Sequence, residues 1–370
     1  MSLVDQAATS PPIATVPHIS WVHPPGGFAG LSMLNGVLRI LTLGIYHFWG
    51  KTEVRQRMWS AVRINGEPLE YRGTGGELLR GFLIVFLVIL LPMLLASFGA
   101  SLLGPAAYGA YSIAFWIVLL LLSGIGIHRA RRYRLSRTRW RGIRGGLSGS
   151  SAGFAWTYLW TMVLIPFTLG WIVPWRTVRL QRALLEDTRF GDKAFTFTAT
   201  SGPLYKRFLV VWLGTLLLVI ATGAAIVGVS ALGLRQPLPG TPQAMPTVKP
   251  EYVAGIVAVI LVALLAFAML RAWYSARVLN YFAAETKLQG AGFTLNATAP
   301  SLVWLTASNY LIRILSLGFL SAVTEARSMR YIVDRLSCEG AIAWHEIGQN
   351  PDALLKRGEG LAEAFNVDAF

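Results

Sequence analysis

Apolar residues in this chain form four long stretches without any charged residue and three shorter stretches that are interrupted. The uncharged stretches cover residues 82–104, 108–127, 208–234 and 252–270. Each is close to the length of about 20 residues that a helix needs to cross a hydrocarbon core of about 30 Å. The pattern therefore predicts a polytopic α-helical membrane protein in which these four stretches span the bilayer.

The three interrupted stretches resemble one another. They cover residues 31–49, 154–175 and 302–323, and each has a Leu-Gly pair near its midpoint, preceded by Thr or Ser. Broken helices at membrane depth occur where protein or water covers the freed backbone groups. We therefore expect three Leu-Gly-broken helical hairpins, re-entrant or in-plane. The alternative is that all seven apolar stretches are spanning helices.

A second repeated feature follows several of the apolar stretches. An Arg-bearing segment of helical period reaches a Gly and continues as a short alternating segment, which predicts a helix followed by a β-hairpin. The five copies cover residues 52–76, 129–153, 176–202, 277–301 and 324–348. Isolated hairpins are marginally stable in water. We therefore expect the five modules to share one cap, with Gly191 and Gly290 in equivalent turns.

The distribution of charge predicts the orientation of the chain. Only 14% of the residues are charged and the net charge is +15. If only the four uncharged stretches span, every Lys and Arg except Arg235 and Lys249 lies on or near one face, as the positive-inside rule requires of the cytoplasmic side. We expect the basic modules, an N-terminal tail over 1–30 that ends in a short strand, and a C-terminal tail over 349–370 to be cytosolic. The repeat-built membrane domain is then 31–348.

Two of the interrupted stretches carry the same polar constellation. Asn35, Arg39 and Gly44 recur with identical spacing as Asn309, Arg313 and Gly318. Residues four apart share a helix face, and an ionisable residue inside a membrane is by default a candidate for function. We predict a binding site for an anion at Asn35, Arg39, Asn309 and Arg313, with Thr161 from the middle copy. The alternative is that each Arg pairs with an acid or extends to the interface.

Three acidic residues lie near these stretches. Glu53 and Glu325 occupy matching places in "TEVR" and "TEAR", and we expect them to neutralise nearby Arg residues. Glu77, in "GTGGELLRG", is expected at the N-terminus of the helix that begins there, because acids are favourable at helix N-termini.

Other kinds of chemistry have little support in the sequence. The five His residues are scattered singly, and the one cysteine, Cys338, has no partner thiol. No metal-ligand spacing, nucleophile motif or nucleotide loop is present. We therefore predict no enzyme activity, no cofactor and no metal. The basic charge indicates contact with anionic lipid headgroups rather than nucleic acid.

The run "TLGIYHFWGKTEVRQRMWSAVRINGEPLEYRGTGGELLRGFLIV", residues 42–85, resembles the YjgN-like family of bacterial inner-membrane proteins. The shared pieces are Leu-Gly-Ile-Tyr followed by Trp, a basic helix, an Asn-Gly-type turn and "YRGTGGELLRG". The resemblance is specific over about 31–85 and thinner in the later repeats. It implies a multi-pass inner-membrane protein and provides no catalytic residues.

Two classes of function fit these observations. Internal repeats and broken helices favour a transporter- or channel-like protein that handles an anionic solute or lipid. The basic cytoplasmic surface favours instead a non-catalytic membrane scaffold or lipid-associated protein. A polar cavity holding Arg39 and Arg313 would favour the first class.

Overall fold

The computed structural model describes residues 15–233 and 250–350 and is mostly helical. The first 14 residues of the predicted N-terminal tail, the predicted outer loop with Arg235 and Lys249, and the C-terminal tail from 351 lie outside the described residues. The helices in the described part are α1 (Ala29–Leu41), α2 (His47–Ala61), α3 (Gly75–Val85), α4 (Leu91–Leu102), α5 (Pro105–Arg137), α6 (Ser151–Phe167), α7 (Val173–Leu185), α8 (Gly202–Gly233), α9 (Pro250–Ala284), α10 (Ala299–Leu315) and α11 (Ser321–Val333).

Four helical stretches are long and apolar enough to cross a membrane. They are Gly75–Leu102, in which a π-helical turn over Phe86–Leu90 joins α3 to α4, Pro105–Arg137, Gly202–Leu232 and Tyr252–Ala284. Few of their residues are buried within the protein, so their apolar side chains face outward as lipid contact requires. These stretches contain the four uncharged runs of the sequence, except for the last two residues of the runs 82–104 and 208–234. A membrane protein is therefore the class that the fold supports.

The strands are short and form two antiparallel sheets. They are β1 (Ile19–Trp21), β2 (Val62–Ile64), β3 (Glu67–Pro68), β4 (Glu70–Tyr71), β5 (Thr138–Trp140), β6 (Ile143–Leu147), β7 (Thr188–Phe190), β8 (Lys193–Phe197), β9 (Thr286–Leu288), β10 (Ala291–Leu295) and β11 (Leu336–Glu339). One sheet has the order β1-β2-β3, and the other runs from β4 to β11 with every strand beside its neighbour in the chain. The strands of the five predicted modules thus pair with one another.

The fifth module differs from the prediction. The segment 324–348 contributes one strand, β11, which pairs with β10, and no hairpin follows it. Gly340 turns the chain with a φ of +104°, and Ile342 then makes an isolated antiparallel bridge with Thr15. The second strand of this hairpin is therefore replaced by contact with the N-terminal segment.

Tight turns connect the paired strands. Asn65-Gly66, Arg141-Gly142 and Gln289-Gly290 each have two successive residues with positive φ, as two-residue hairpin turns of type I′ require. The turn between β7 and β8 instead places its glycine first, Gly191, with a φ of +59°. Gly191 and Gly290 therefore lie in equivalent turns, one position apart.

The three interrupted stretches form helix–break–helix hairpins, which we call hairpin 1 (α1 and α2), hairpin 2 (α6 and α7) and hairpin 3 (α10 and α11). At each break a Leu and the following Gly both have positive φ: Leu43-Gly44, Leu169-Gly170 and Leu317-Gly318. The glycine N–H donates to the carbonyl five residues back in all three, at 2.7 to 2.8 Å. This backbone bond closes the first helix of each hairpin in a Schellman-type end.

The Thr or Ser before each Leu-Gly pair has a structural role in the break. The Thr42 hydroxyl donates to the Leu38 carbonyl at 2.7 Å and accepts the Tyr46 N–H at 2.9 Å. Thr168 and Ser316 make the corresponding pairs of bonds. One hydroxyl thus satisfies backbone groups on both sides of each break, which explains why the three sequences share it.

The chain divides into two compact units. One is Met1–Thr200 with Tyr281–Asn296 and Asn309–Phe370, and it contains both sheets. The other is Ser201–Asn280 with Ala297–Ser308; within it, Phe208 packs against Tyr274, and Asn280 forms two hydrogen bonds with the backbone of Ala297.

Candidate functional site

A polar cavity of about 160 Å³ lies between hairpin 1 and the start of α11, within the first unit. Its wall combines small residues with four ionisable side chains. The lining residues are Ser32, Asn35, Gly36, Arg39, His47, Gly50, Lys51, Val54, Gly318, Phe319, Ser321, Ala322 and Glu325. We call this space the hairpin cavity.

Close packing of α1 against the beginning of hairpin 3's second helix forms the floor of the cavity. The Ser32 hydroxyl donates to the Phe319 carbonyl at 2.6 Å and accepts the Ala322 N–H at 3.2 Å. One turn further along α1, a Cβ at Gly36 would lie only 2.4 Å from the Phe319 ring. The small residue at position 36 therefore lets the two hairpins approach, and the buried serine fixes their register.

Asn35 connects the two helices of hairpin 1. Its Nδ2 donates to the Gly50 carbonyl at 3.3 Å, while its buried Oδ1 has no hydrogen-bond partner among the described residues. Asn309 makes the same bond in hairpin 3, from Nδ2 to the Thr324 carbonyl at 3.3 Å. The repeated asparagine is thus a structural tie between the two helices of each hairpin.

Arg39 is the cation of the predicted constellation that lines the hairpin cavity. Its side chain is exposed, and within residues 15–233 and 250–350 it has neither an ion pair nor a hydrogen bond. His47, Lys51 and Glu325 complete the ionisable wall. The balance of charge in the wall is positive, which favours an anion.

The other predicted site residues lie elsewhere. Arg313 is exposed, and its Nε donates to the Thr324 hydroxyl at 2.7 Å. Thr161 is fully buried, and its hydroxyl donates to carbonyls of its own helix, at Thr157 and Tyr158. Asn309, Arg313 and Thr161 do not line the hairpin cavity.

The structure therefore corrects the expectation that the two arginines and Thr161 converge on one centre. Identical spacing places Arg39 and Arg313 at equal distances from their breaks, but it does not fix how the hairpins are rotated about each other. Hairpin 1 packs on the start of α11 through Ser32 and Gly36. The residues of hairpin 3 that line the resulting cavity begin at Gly318, and Arg313 is not among them.

The proposed correspondence of Glu53 and Glu325 is also corrected. Asn35 bonds to the Gly50 carbonyl and Asn309 to the Thr324 carbonyl, so Gly50 and Thr324 occupy equivalent positions. The residue equivalent to Glu325 is therefore Lys51, not Glu53. Glu53 accepts the Tyr46 hydroxyl at 2.9 Å, whereas Glu325 lines the cavity. The two hairpins thus carry opposite charges at equivalent positions, which the "TEVR" and "TEAR" alignment hides.

Glu77 lies in the first turn of α3, as expected, but the N-cap is Thr74, whose hydroxyl accepts the Glu77 N–H. The Glu77 carboxylate accepts from Arg137 at 2.7 Å and from the Tyr133 hydroxyl. Other members of the basic run 129–144 have protein partners too: Arg141 pairs with Glu67 and Arg144 donates to the Asn350 carbonyl. Much of this run is therefore used to join elements.

Sequence reasoning missed Ser32, His47 and Lys51, although a signal was present. Ser32, Asn35, Gly36 and Arg39 follow the spacing i, i+3, i+4, i+7, which marks one face of a helix. Among the described residues, no group of three or more His, Cys, Asp and Glu side chains is arranged to hold a metal ion.

Comparisons with known proteins agree with the membrane assignment. A family model described as "Bacterial protein of unknown function (DUF898)" matches residues 25–364. Inner membrane protein YjgN of Salmonella typhimurium is 24% identical over 40% of this chain and 35% of its own length. YjgN of Escherichia coli K12 is 24% identical over 38% of this chain and 33% of its own. The aligned part thus spans about a third of these relatives. No solved structure matches significantly.

Proposed function

The chain belongs to the DUF898 family of bacterial proteins, and its named relatives are inner-membrane proteins; we propose that it is a transporter-like inner-membrane protein that binds an anionic lipid headgroup or solute in the hairpin cavity. Arg39 is the observation that carries the proposal. It is a cation without a partner among the described residues, on the wall of a polar cavity built between two broken helices. Cavities of this kind are where transporters place their substrates.

Pairing of the strands supports a four-span topology with three re-entrant hairpins. Strands of two to five residues cannot carry a sheet through the hydrocarbon core, where every backbone group must be satisfied. Strands that pair therefore share one side of the membrane, and the chain between them crosses an even number of times. Hairpin 2 connects β6 to β7, which pair, and hairpin 3 connects β10 to β11, which also pair. Seven single crossings would separate these partners.

The tips of the hairpins support insertion into one leaflet. Leu43, Leu169 and Leu317 are 95%, 74% and 83% exposed. An exposed leucine with positive φ is unfavourable both in its backbone and in water. All three are explained at once if the tips contact lipid. The excess of basic residues on the module side supports a cytosolic position for the sheets, by the positive-inside rule.

A phosphate group is the chemistry that the cavity favours, and it has two sources: the headgroup of an anionic lipid or a soluble phosphate. We would measure binding to purified full-length protein in phosphatidylcholine nanodiscs, adding either phosphatidylglycerol in the disc or inorganic phosphate in the buffer. The readout is the midpoint of thermal unfolding. Saturable stabilisation by one source and not the other identifies it.

Arg39→Met and Arg313→Met form a matched pair of variants, because the two residues have the same spacing from the same kind of break. Arg39→Met should weaken binding by about tenfold or more, since one charge-assisted interaction is lost. Arg313→Met should leave binding unchanged. Equal effects of the two substitutions, or no stabilisation by either source, would contradict the proposal.

Movement of the ligand across the membrane would distinguish a transporter from a scaffold. Proteoliposomes would be assayed for flipping of fluorescent phosphatidylglycerol and for uptake of inorganic phosphate. The scaffold alternative is supported by cations on the outward face of the sheet, such as Arg139, Arg189 and Lys287. Binding without movement in either assay would favour the scaffold.

A further inference from the structure

A second cavity, of about 250 Å³, lies inside the sheets and is independent of the hairpin cavity. Strands from both sheets, the end of α5 and the segment after β11 contribute to it. Its lining residues are Pro17, Ile19, Ile64, Leu69, Leu135, Thr138, Arg139, Trp140, Gly145, Thr188, Arg189, Phe190, Phe195, Leu288, Phe293, Ile342 and Trp344. We call this space the sheet chamber.

The chamber exists because the larger sheet is rolled. Neighbouring strands lie about 4.8 Å apart, so a flat sheet would separate β5 from β10 by about 24 Å. Trp140 on β5 and Phe293 on β10 nevertheless line the same cavity, and Ile143 on β6 packs in one hydrophobic cluster with Phe293. Ile19 and Ile64 of the smaller sheet complete the enclosure.

Register shows that the inner face is mainly apolar. Trp140 is opposite Ile143, Phe195 is opposite Leu288, and these directly opposed pairs share the inner face. Arg139 and Arg189 belong to the opposite face, because they alternate with Trp140 and Phe190 along their strands. Their guanidinium groups do not border the chamber.

The polar side chains on the inner face have partners of their own. Thr138 and Thr188 each donate to a carbonyl of the helix that precedes them. Lys193, which is opposite Phe190 at the start of its strand, pairs with Asp192.

The wall of the chamber includes the end of a candidate membrane span. Leu135, which lines the chamber, lies two residues before the end of the span Pro105–Arg137. Trp344 also lines it, and its ring centroid lies 4.7 Å from that of Trp140 and 6.2 Å from that of Phe190. The chamber is therefore bordered both by the end of an apolar helix and by an aromatic cluster.

Trp140 packs in the wall of this apolar space. It is 1% exposed, and its indole N–H has no acceptor within the part of the chain that the structure describes. Buried donors are normally paired. Repacking of the Trp140 ring around an occupant that carries an oxygen acceptor on a hydrocarbon body would pair this donor.

We propose that the sheet chamber binds the acyl chain of a fatty acid or membrane lipid. Protein interiors rarely leave voids much larger than a water molecule, and an apolar cavity of about 150 Å³ already admits benzene. The chamber is larger and apolar, and acyl chains are the abundant hydrocarbon beside a membrane helix. Once the Trp140 ring repacks around the ligand, the ligand's carboxyl or ester oxygen is the acceptor for the indole N–H.

Photo-crosslinking of the purified full-length protein tests this assignment. Palmitic acid with a diazirine on its chain would be offered in one arm, and phosphatidylcholine with a diazirine-bearing acyl chain in the other. Crosslinked peptides would be mapped by mass spectrometry. We expect adducts on inner-face residues such as Phe195, Leu288 and Phe293, removed by excess unlabelled ligand. The arm that produces them distinguishes a free from an esterified chain.

Chamber-filling variants provide the control. Phe293→Trp and Ile64→Trp add volume from different sheets, and both should reduce inner-face adducts by about tenfold while unfolding at or above the wild-type temperature. Thr196→Trp, on the outer face of β8, should leave the adducts unchanged. Two results would overturn the proposal. One is that all adducts lie on the four apolar helices. The other is that Phe293→Trp and Ile64→Trp both fold but neither reduces the inner-face adducts.

Discussion

Gly36 sets how closely hairpin 1 approaches α11, and its substitution tests that contact directly. A methyl group there would lie 2.4 Å from the Phe319 ring. Gly36→Ala should therefore destabilise the protein by about 1–3 kcal/mol, the usual result of overpacking. Gly30→Ala, in the same helix, meets nothing within 4 Å. It should be neutral or slightly stabilising. Thermal unfolding in one detergent measures both; equal midpoints would show that the contact is not tight.

Glu77 joins the start of α3 to the end of α5 through Arg137 and Tyr133. Among the acidic residues with an ion pair in the described part of the chain, we expect its loss to lower the free energy of unfolding most. Its carboxylate and the Arg137 guanidinium are 28% and 14% exposed. Glu77→Gln should cost about 1–3 kcal/mol, because Arg137 and Tyr133 lose a charged acceptor in a half-buried place. Glu70→Gln breaks the more exposed pair with Arg72 and should have a smaller effect. The free energy of unfolding compares them, and a larger loss for Glu70→Gln would contradict this reasoning.

The residue scale is where sequence reasoning was least complete. Identical spacing relates Asn35 to Asn309 in the sequence, but the bond that each makes to a backbone carbonyl depends on the hairpin that surrounds it. Periodicity placed Arg39 on a polar face of α1. The partner surface, Phe319 and Glu325, lies almost the whole chain away, so nothing local could have identified it.

At the scale of elements, the hairpin tips carry the clearest prediction. Leu43, Leu169 and Leu317, each replaced singly by Cys and labelled with an environment-sensitive fluorophore, should be quenched by acyl-chain spin-labelled lipids in nanodiscs. Thr196→Cys, exposed on β8, should be quenched by iodide in the buffer instead. Iodide quenching at all three tips would exclude insertion into the leaflet.

Elements were largely predictable because their signals are local. The Leu-Gly breaks and the glycine turns fix backbone angles that few other sequences adopt. The fifth hairpin failed for the opposite reason: its alternating pattern is present, but Ile342 pairs with Thr15 instead of returning to β11. A local pattern cannot show that a segment far away in the chain will pair with a strand in place of its neighbour.

For the whole molecule, the test is the side of the membrane on which each module lies. Single cysteines at Glu67, in the first module, and Thr196, in the third, should both be protected from an impermeant thiol reagent in intact spheroplasts. A cysteine at Leu103, between α4 and α5, should be labelled. Seven spans would instead expose Thr196→Cys and protect Glu67→Cys.

Cys338 is a favourable background for that experiment. It is 8% exposed, and burial raises the pKa of its thiol. Less thiolate is then present at neutral pH, so its reaction with the reagent should be slow. Cys338→Ser removes the remaining signal, and fast labelling of Cys338 in the purified wild-type protein would contradict its buried position.

The curvature of the larger sheet could not be predicted from the sequence. The repeat predicts that the modules share a cap, but the enclosure also uses a bridge between Thr15 and Ile342, which lie far apart in the chain. The long uncharged runs, in contrast, are local features that need no tertiary contacts, which is why they predicted the four long apolar helices.

The order of the larger sheet has a consequence for biogenesis. From β4 to β11 each strand adds beside the one made just before it, so the sheet can grow at the ribosome, hairpin by hairpin, while the intervening helices enter the bilayer. Between β8 and β9 the ribosome must first complete α8 and α9. Among the described strands of this sheet, β8 therefore remains unpaired on one edge for the longest part of synthesis. A nascent chain stalled there would expose this unpaired edge to other protein chains.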